Sequence, residues 1–224
     1  MNFKVIDLVI GLLFLIFSSF LLEGCTKDRV LPELPPPSVG EETVLANWNF
    51  NSSNTPEELM TASFAVNSGF LRFYGNSSEL DYCNGDNISC FEEVNDGAML
   101  NLLEGDAPGT ALRLRNPCSH LDIHVNSSGY ADLKLSYACR RTGSGAQTNE
   151  ILYSTDGVTF GSSSLDDNVF TVTEEFEVIS IDLSNVQGIN NNPNAVLRIQ
   201  FSDGNSNSSG NNRLDNMLIL AKEI

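Results

Sequence analysis

The chain has 224 residues and a formal net charge of −17, from 29 acidic and 12 basic side chains. This balance excludes nucleic acid as a default partner, because binding to phosphates needs a positive surface. It also argues against adsorption to anionic lipid, whereas an acidic surface is typical of an exported protein that stays soluble.

The first 24 residues have the pattern of an export signal. A short basic start is followed by an apolar run, VIDLVIGLLFLIFSSFLL, which only Asp7 interrupts. The run ends in LLEGC, which resembles the lipobox of bacterial lipoproteins, with a Leu three residues before Cys25. Glu23 departs from that pattern, which has a small residue there. We therefore expect residues 1–24 to be a lipoprotein signal peptide and Cys25 to carry the lipid.

An ordinary secretory signal or a transmembrane anchor is the alternative, because the apolar run is about long enough to span a bilayer. The placement of Cys25 and the polar, Pro-rich sequence after it favour lipidation. Residues 25–41 would then be an extended tether, since three consecutive prolines without apolar periodicity are typical of a linker. A lipid on Cys25 predicts an outer-membrane protein, exposed to the periplasm or at the cell surface.

From residue 42 to residue 224 the sequence predicts one all-β domain. Strand-like segments recur between turns rich in Gly, Asn, Ser and Asp, and most alternate apolar and polar residues. They are TVLANWNF, FLRFYG, GTALRLR, LDIHV, ADLKLSYACR, NEILYSTDG, VFTVT, FEVISIDL, AVLRIQF and RLDNMLIL. PEELM predicts a single helical turn. Ten or so short strands predict a two-sheet β-sandwich.

Four cysteines follow Cys25, and an even number in an exported protein predicts disulfides. Of the three pairings that four cysteines allow, we favour Cys83 with Cys90 and Cys118 with Cys139. The first would close the loop CNGDNISC, and the second would tie NPC to the strand LKLSYAC. Free buried thiols are the alternative. Zinc is not expected, because the sequence lacks a Cys-x-x-Cys pair with a suitably spaced His.

Several stretches together resemble the exported jelly-roll domain of many secreted and surface proteins of Gram-negative bacteria. They are LANWNF, SYACRRTGSG, EILYSTDGVTF, IDLSNV, NNPNAVLRIQFSDG and GNNRLDNMLIL. That domain is similar in layout to galactose-binding-like and MAM-like sandwiches, whose members bind glycans or other proteins. The resemblance implies a jelly-roll fold and a non-catalytic binding module for a glycan or a surface protein. A structural accessory subunit of a surface complex is the alternative, and a hydrolase is less favoured because no catalytic motif is present.

Asp215 lies among apolar residues in the last predicted strand, and a buried carboxylate must be hydrogen-bonded, paired or metal-bound. Strict alternation would place it opposite a face formed by Leu214, Asn216, Leu218 and Leu220. In sandwiches of this kind a structural calcium ion near the junction of the first and last strands is common, and calcium prefers oxygen ligands. The ligands would be loop carbonyls with Asp215, Asn216 and Asn47 or Asn49. The favoured alternative is that Asp215 accepts hydrogen bonds from loop amides, or pairs with Arg213 or Arg198, and fastens the last strand.

Arginines alternate with apolar residues on several strands and predict a ligand-binding face. The residues are Arg113, Arg115, Arg140 and Arg198, with Tyr137 beside them. If those strands are neighbours, the side chains would form a cationic patch suited to acidic sugars or to a partner's carboxylates. The favoured alternative is that these arginines pair with Asp and Glu on adjacent strands.

The segment HLDIH places His120, Asp122 and His124 on one face of a strand. Ligands at such spacing form a row about 13 Å long, so one metal ion does not reach all three. A polar, exposed face is therefore the favoured interpretation.

Trp48 offers a stacking platform for sugars, but its alternation with Ala46 and Phe50 favours a place in the core.

Overall fold

The computed structural model describes residues 40–51, 55–75, 78–83, 90–116, 118–204 and 210–224. These residues contain α1 (Pro56–Met60), which is the predicted PEELM turn, and a 3₁₀ turn at Gln187–Ile189. They form the strands β1 (Glu42–Trp48), β2 (Phe64–Ala65), β3 (Gly69–Gly75), β4 (Phe91–Val94), β5 (Ala111–Arg115), β6 (Cys118–Val125), β7 (Tyr130–Arg141), β8 (Thr148–Ser154), β9 (Val169–Thr171), β10 (Glu177–Asp182), β11 (Ala195–Ser202) and β12 (Asn211–Glu223).

The N-terminal predictions fall on residues that the structure does not describe. The signal peptide, Cys25 and nearly all of the predicted tether 25–41 lie outside the described ranges. Within those ranges, no helix combines the length and the apolar character needed to cross a membrane.

The strands form two antiparallel sheets, which confirms the predicted all-β, two-sheet jelly-roll β-sandwich. Sheet 1 has the order β10-β7-β12-β1-β2, and sheet 2 has the order β3-β6-β11-β8-β9. Two strands of sheet 1 pair along the same edge of β12. β5 pairs with Asn211–Leu214, and β1 pairs with residues 217–222. β4 then pairs with β5. β12 is therefore the central strand of sheet 1, and β1, β5 and β7 all pair with it.

The inward faces of the two sheets supply the apolar core. Leu112, Leu214 and Ile219 come from sheet 1, and Leu121 and Ile199 come from sheet 2, all of them with no exposed surface. Each such side chain contributes about 1.5–3 kcal/mol when fully buried. Trp48 is also in this core and donates from Nε1 to the Met60 carbonyl at 3.1 Å, which confirms the core interpretation of Trp48.

β12 does not alternate strictly, because a β-bulge interrupts it at Asp215 and Asn216. Asp215 pairs with Ala138, but the next pair joins Leu218 to Ser136. Asn216 has a positive φ of 47°, which accommodates the extra residue. Leu214 and Met217 both face the core, whereas Leu218 and Leu220 are half-buried. The prediction that Leu218 and Leu220 share the face of Leu214 was therefore wrong.

Only one of the two predicted disulfides is present. Cys83 and Cys90 are bonded, with their Cα atoms 5.2 Å apart, which confirms the first pairing. The second pairing was wrong, because Cys118 and Cys139 are free thiols. Cys118 begins β6 in sheet 2, and its thiol donates to the Tyr74 carbonyl at 3.6 Å, whereas Cys139 lies in sheet 1 and faces the core. Burial raises the pKa of both thiols to about 12, so they stay protonated.

Candidate ligand-binding faces

The outer surface of sheet 2 carries rings and polar groups in three rows that cross the strands. Directly paired residues share one face of a sheet, so the register of β3, β6 and β11 defines these rows. The rows are Phe70–His124–Val196, Arg72–Asp122–Arg198 and Tyr74–His120–Gln200, and together we name them the aromatic face. His120, Asp122 and His124 share this face, as the alternation of HLDIH predicts, and the residues between them are buried.

Two stacked ring pairs flank the aromatic face. Phe70 lies on His124 with ring centroids 4.2 Å apart and planes 6° apart, and Tyr74 lies on His120 at 4.6 Å and 20°. Phe70 is 39% exposed, and the Arg72 guanidinium lies over its ring with Cζ 5.7 Å from the centroid, so part of the ring is open to a ligand. Burial is the main cause that lowers the pKa of both imidazoles, so they are neutral at pH 7. Neutral imidazoles can stack and can still donate or accept one hydrogen bond at each nitrogen.

An ion pair occupies the middle row. Arg198 binds Asp122 bidentately, with Nε to Oδ1 at 2.6 Å and Nη2 to Oδ2 at 2.8 Å. The Phe160 ring covers the guanidinium, whose Cζ atom lies 3.6 Å from the ring centroid. Arg198 is thus held flat on the aromatic face and does not pair with Asp215, which belongs to the other sheet.

A depression of about 210 Å³ lies at one end of the aromatic face. Phe70 and His124 line it together with polar residues that include Asn126, Asp156 and Asn194. Hydrogen bonds from the Thr159 and Val158 amides and the Ser154 hydroxyl hold the pKa of Asp156 far below its ordinary value. An exposed ring therefore adjoins amide groups and an ionised carboxylate.

The outer surface of sheet 1 carries arginines on adjacent strands. Arg213 on β12 lies directly opposite Arg113 on β5 and directly opposite Arg140 on β7. Arg115 lies two residues beyond Arg113, and we name these four residues the arginine cluster. The structure thus brings together three of the four predicted arginines. Arg213 was not predicted to belong to this cluster, because the sequence analysis had assigned it as an ion-pair partner of the nearby Asp215.

Two carboxylates pair with the arginine cluster. Glu92 accepts from Arg113 Nε at 2.9 Å and from Arg115 Nε at 2.7 Å. Burial raises the pKa of Glu92. The hydrogen bonds and charges of these two arginines lower it by more, so the pKa lies below its ordinary value. Asp96 accepts from Arg213 and lies 3.5 Å from Arg140 Nη1. The Glu92 contacts are the cross-strand ion pairs that the alternative interpretation predicted, whereas Asp96 lies in the loop after β4.

Two members of the predicted patch lie elsewhere. Arg198 belongs to the aromatic face of sheet 2, so it cannot share a patch with the arginines of sheet 1. Tyr137 has no exposed surface, because its place in β7 directs it into the core, where its hydroxyl accepts from Asn149 Nδ2 at 3.2 Å. The prediction that Tyr137 lies beside the arginines was wrong.

Asp215 is fully buried on the outer side of sheet 1, under the loop that follows β4. Its Oδ2 accepts from the Ala98 amide and its Oδ1 from the Asn216 amide, both at 2.7 Å. Burial raises the pKa of Asp215 to about 7, against the lowering effect of these two hydrogen bonds. The contacts are those of a carboxylate that fastens the strand to the loop, and Arg213 pairs with Asp96 instead.

The predicted calcium ligands are oxygen donors of the kind that calcium takes. The Asn216 side-chain amide, however, donates to the Ala98 carbonyl at 3.1 Å and to the Leu100 carbonyl at 2.9 Å. Asn216 Oδ1 is buried without a hydrogen-bond partner within the described residues. Asn47 lies on β1 opposite Leu218. Calcium at Asp215, Asn216 and Asn47 stays a prediction.

A different group of metal-ligand atoms occurs near the disulfide. Among the described residues, one group of three potential ligand atoms within 4.8 Å of one another comprises Cys83, Cys90 and Glu92. The two sulfur atoms are bonded to each other, and Glu92 accepts from two arginines. The sulfur atoms and the Glu92 carboxylate already have bonding partners, so this group is not suited to a metal ion.

Comparison with known proteins gives fold likenesses only. No protein-family model and no curated protein matches the chain. The K1 cleaved adhesin domain of Lys-gingipain from Porphyromonas gingivalis W83 is 9% identical, with a TM-score of 0.43 over 80% of this chain and 98% of that one. A xylan-binding domain from CBM 22 is 11% identical, with a TM-score of 0.43 over 84% and 97%.

A third match is far longer than this chain. The enzymatically active domain of tailspike protein 4 from bacteriophage CBA120 is 9% identical, with a TM-score of 0.41. The match covers 67% of this chain but 19% of the tailspike domain, so the chain spans about a fifth of it. At these identities and TM-scores, the function has to be argued from the residues of the chain itself.

Proposed function

We propose that the chain is a non-catalytic binding module for a glycan and that the sugars bind on the aromatic face of sheet 2. The observation that carries this proposal is the exposed Phe70 ring, which is stacked on His124 beside the polar depression. A sugar ring has apolar C–H faces and a rim of hydroxyl groups. It therefore needs a flat ring to stack on and nearby groups that donate and accept hydrogen bonds.

The aromatic face offers both features over a length suited to several sugars. Phe70 and Tyr74 are four residues apart on β3, which places their rings about 13 Å apart along the strand. Between them lie Arg72, exposed, and the Asp122–Arg198 pair. An extended oligosaccharide along β3 would meet a ring at each end and fixed polar groups between them.

Two acidic residues of this region, Asp122 and Asp156, support binding rather than hydrolysis. A glycoside hydrolase needs one carboxyl group that is protonated and a second that is ionised. Asp122 is held by Arg198 through both of its oxygens, and three hydrogen bonds keep Asp156 ionised. Neither carboxylate is arranged to donate a proton to a leaving group.

A glycan array tests this function, with the mature chain carrying Cys25→Ser for solubility. We expect Phe70→Ala to lose the array signals that the parent chain gives. Phe64→Ala is the matched control, because Phe64 is 50% exposed but lies on β2 of sheet 1. Glycan binding that survives Phe70→Ala and Tyr74→Ala, or that Phe64→Ala abolishes equally, would refute the assignment to the aromatic face.

The membrane attachment is part of the same proposal. LLEGC and the Pro-rich residues 25–41 support a lipid on Cys25 that holds the module at the outer membrane. Growth with a labelled fatty acid is then expected to label the parent chain but not Cys25→Ser. A parent chain that takes up no label would favour a secretory signal or an uncleaved anchor instead.

A further inference from the structure

We propose that the arginine cluster of sheet 1 is a second binding site, which takes the single carboxylate of an acidic sugar. This site lies on the opposite sheet from the aromatic face and does not depend on the glycan proposal made for that face. Its members are Arg113, Arg115, Arg140 and Arg213.

The arginine cluster has an imbalance of charge within its ion pairs. Four guanidinium groups form ion pairs with two carboxylates, Glu92 and Asp96, among the described residues. Arg213 has an arginine directly opposite it on each side, and like charges in that position destabilise a sheet. A bound anion would offset the surplus of positive charge.

The arginine cluster also has two unused hydrogen-bond donors. Arg140 Nε and Arg213 Nε are buried and have no hydrogen-bond partner within the described part of the chain. A buried donor without a partner costs free energy, whereas an oxyanion can accept from guanidinium groups at two positions. Both donors belong to arginines that lie directly opposite each other on β7 and β12.

The protein already holds a carboxylate of its own between two of these arginines. Asp96 Oδ2 contacts both Arg213 and Arg140, so a carboxylate group fits between these two side chains. The Phe176 ring lies 5.6 Å from Arg140 Cζ and supplies a flat apolar surface beside them. An acidic sugar combines a carboxylate with a C–H face and so matches both features.

The net charge of the whole chain limits the ligand to one anionic group. A polyanion extends beyond the Debye length of about 8 Å and meets the field of a protein with net charge −17. A ligand with one carboxylate interacts mainly with the local surplus of positive charge. The site therefore favours a singly charged saccharide over nucleic acid or an acidic polypeptide.

An NMR titration of the mature chain carrying Cys25→Ser tests the site. The probe is methyl glucuronide, and methyl glucoside is the neutral control of the same shape. We expect saturable shifts of the Arg140 and Arg213 side-chain Nε–H signals with the glucuronide alone. Arg140→Gln should weaken this binding about tenfold, because it removes a charge-assisted contact.

Two further variants keep the test decisive. Asp96→Asn removes the internal competitor and should tighten glucuronide binding, a gain that damage to the fold would not produce. Lys134→Gln is the matched control, because it removes one positive charge from sheet 1 outside the cluster and should leave binding unchanged.

Three outcomes would overturn the proposal. They are a glucuronide affinity that Arg140→Gln does not change, a loss of affinity in Asp96→Asn, or tighter binding of a capped aspartate peptide than of the glucuronide. Phe70→Ala should leave glucuronide binding intact, so the failure of this site and the failure of the aromatic face can be told apart.

Discussion

Asp215 should make the stability of the fold depend on pH in a direction opposite to that of most acidic residues. Its pKa rises from an ordinary 3.8 to about 7 in the folded chain. The folded state therefore binds a proton more tightly than the unfolded state does. The stabilisation is fully present below about pH 4 and is lost as the pH rises to about 7.

The size of this effect follows from the two pKa values. At about 1.36 kcal/mol per pH unit, the difference between 3.8 and about 7 corresponds to the order of 4 kcal/mol. That is a large part of the 5–15 kcal/mol by which a typical domain is stable. Other carboxylates act in the opposite direction, because the pKa values of Glu92 and Asp182 are lowered. A variant is therefore needed to isolate Asp215.

Urea unfolding in EDTA, at several values between pH 4.5 and pH 7.5, measures the effect. Asp215→Asn keeps one oxygen acceptor for a backbone amide and does not titrate. Its stability relative to the parent chain should rise by several kcal/mol between pH 4.5 and pH 7.5, because only the parent chain loses the stabilisation that Asp215 gives. Asp166→Asn, at an exposed position, is the control and should run parallel to the parent chain. Parallel curves for Asp215→Asn and the parent chain would show that Asp215 does not titrate in this pH range and that the reasoning is wrong.

Three other predictions concern the metal, the ion pair and the thiols. Millimolar calcium should raise the melting temperature above that in EDTA if the ion binds the folded state, and Asp215→Ala should abolish that rise; equal melting temperatures would refute a calcium site. Arg198→Met should lower the free energy of unfolding in urea by about 3 kcal/mol, because it leaves the buried Asp122 carboxylate without its ion-pair partner. Adding Asp122→Leu should restore much of that free energy. Cys118 and Cys139 should react with a thiol reagent after unfolding but slowly before it, whereas a disulfide between them would give no reaction in either state.

Local patterns predicted the strands, because each depends on alternation within one segment. The ten segments named from the sequence all contain a strand of the structure, and HLDIH faces the way its alternation indicates. The Cys83–Cys90 disulfide closes a loop with a sequence separation of 7, so nearness along the chain already brings the two sulfur atoms together.

Features that depend on which strands become neighbours escaped the sequence analysis. Cys118 and Cys139 are on different sheets, and no local pattern assigns a strand to a sheet. Tyr137 is a different case: it is three residues from Arg140 on one strand, so alternation along that strand already places the two on opposite faces. Strict alternation does not predict the bulge at Asp215 and Asn216. The extra residue reverses the faces of the residues after it, so the alternation assigned from the sequence fails beyond the bulge.

The two candidate sites of sheet 1, at Asp215 and at the arginine cluster, share one short segment. Asp96 contacts Arg213 and Arg140, and the Ala98 amide donates to Asp215. Between them, Gly97 donates to the Gly109 carbonyl at 3.2 Å, and a Cβ atom there would lie 1.7 Å from the Pro108 carbonyl oxygen. The segment is thus held at three successive residues. A ligand that displaced Asp96, as we propose for the arginine cluster, would release one of these contacts and leave the other two.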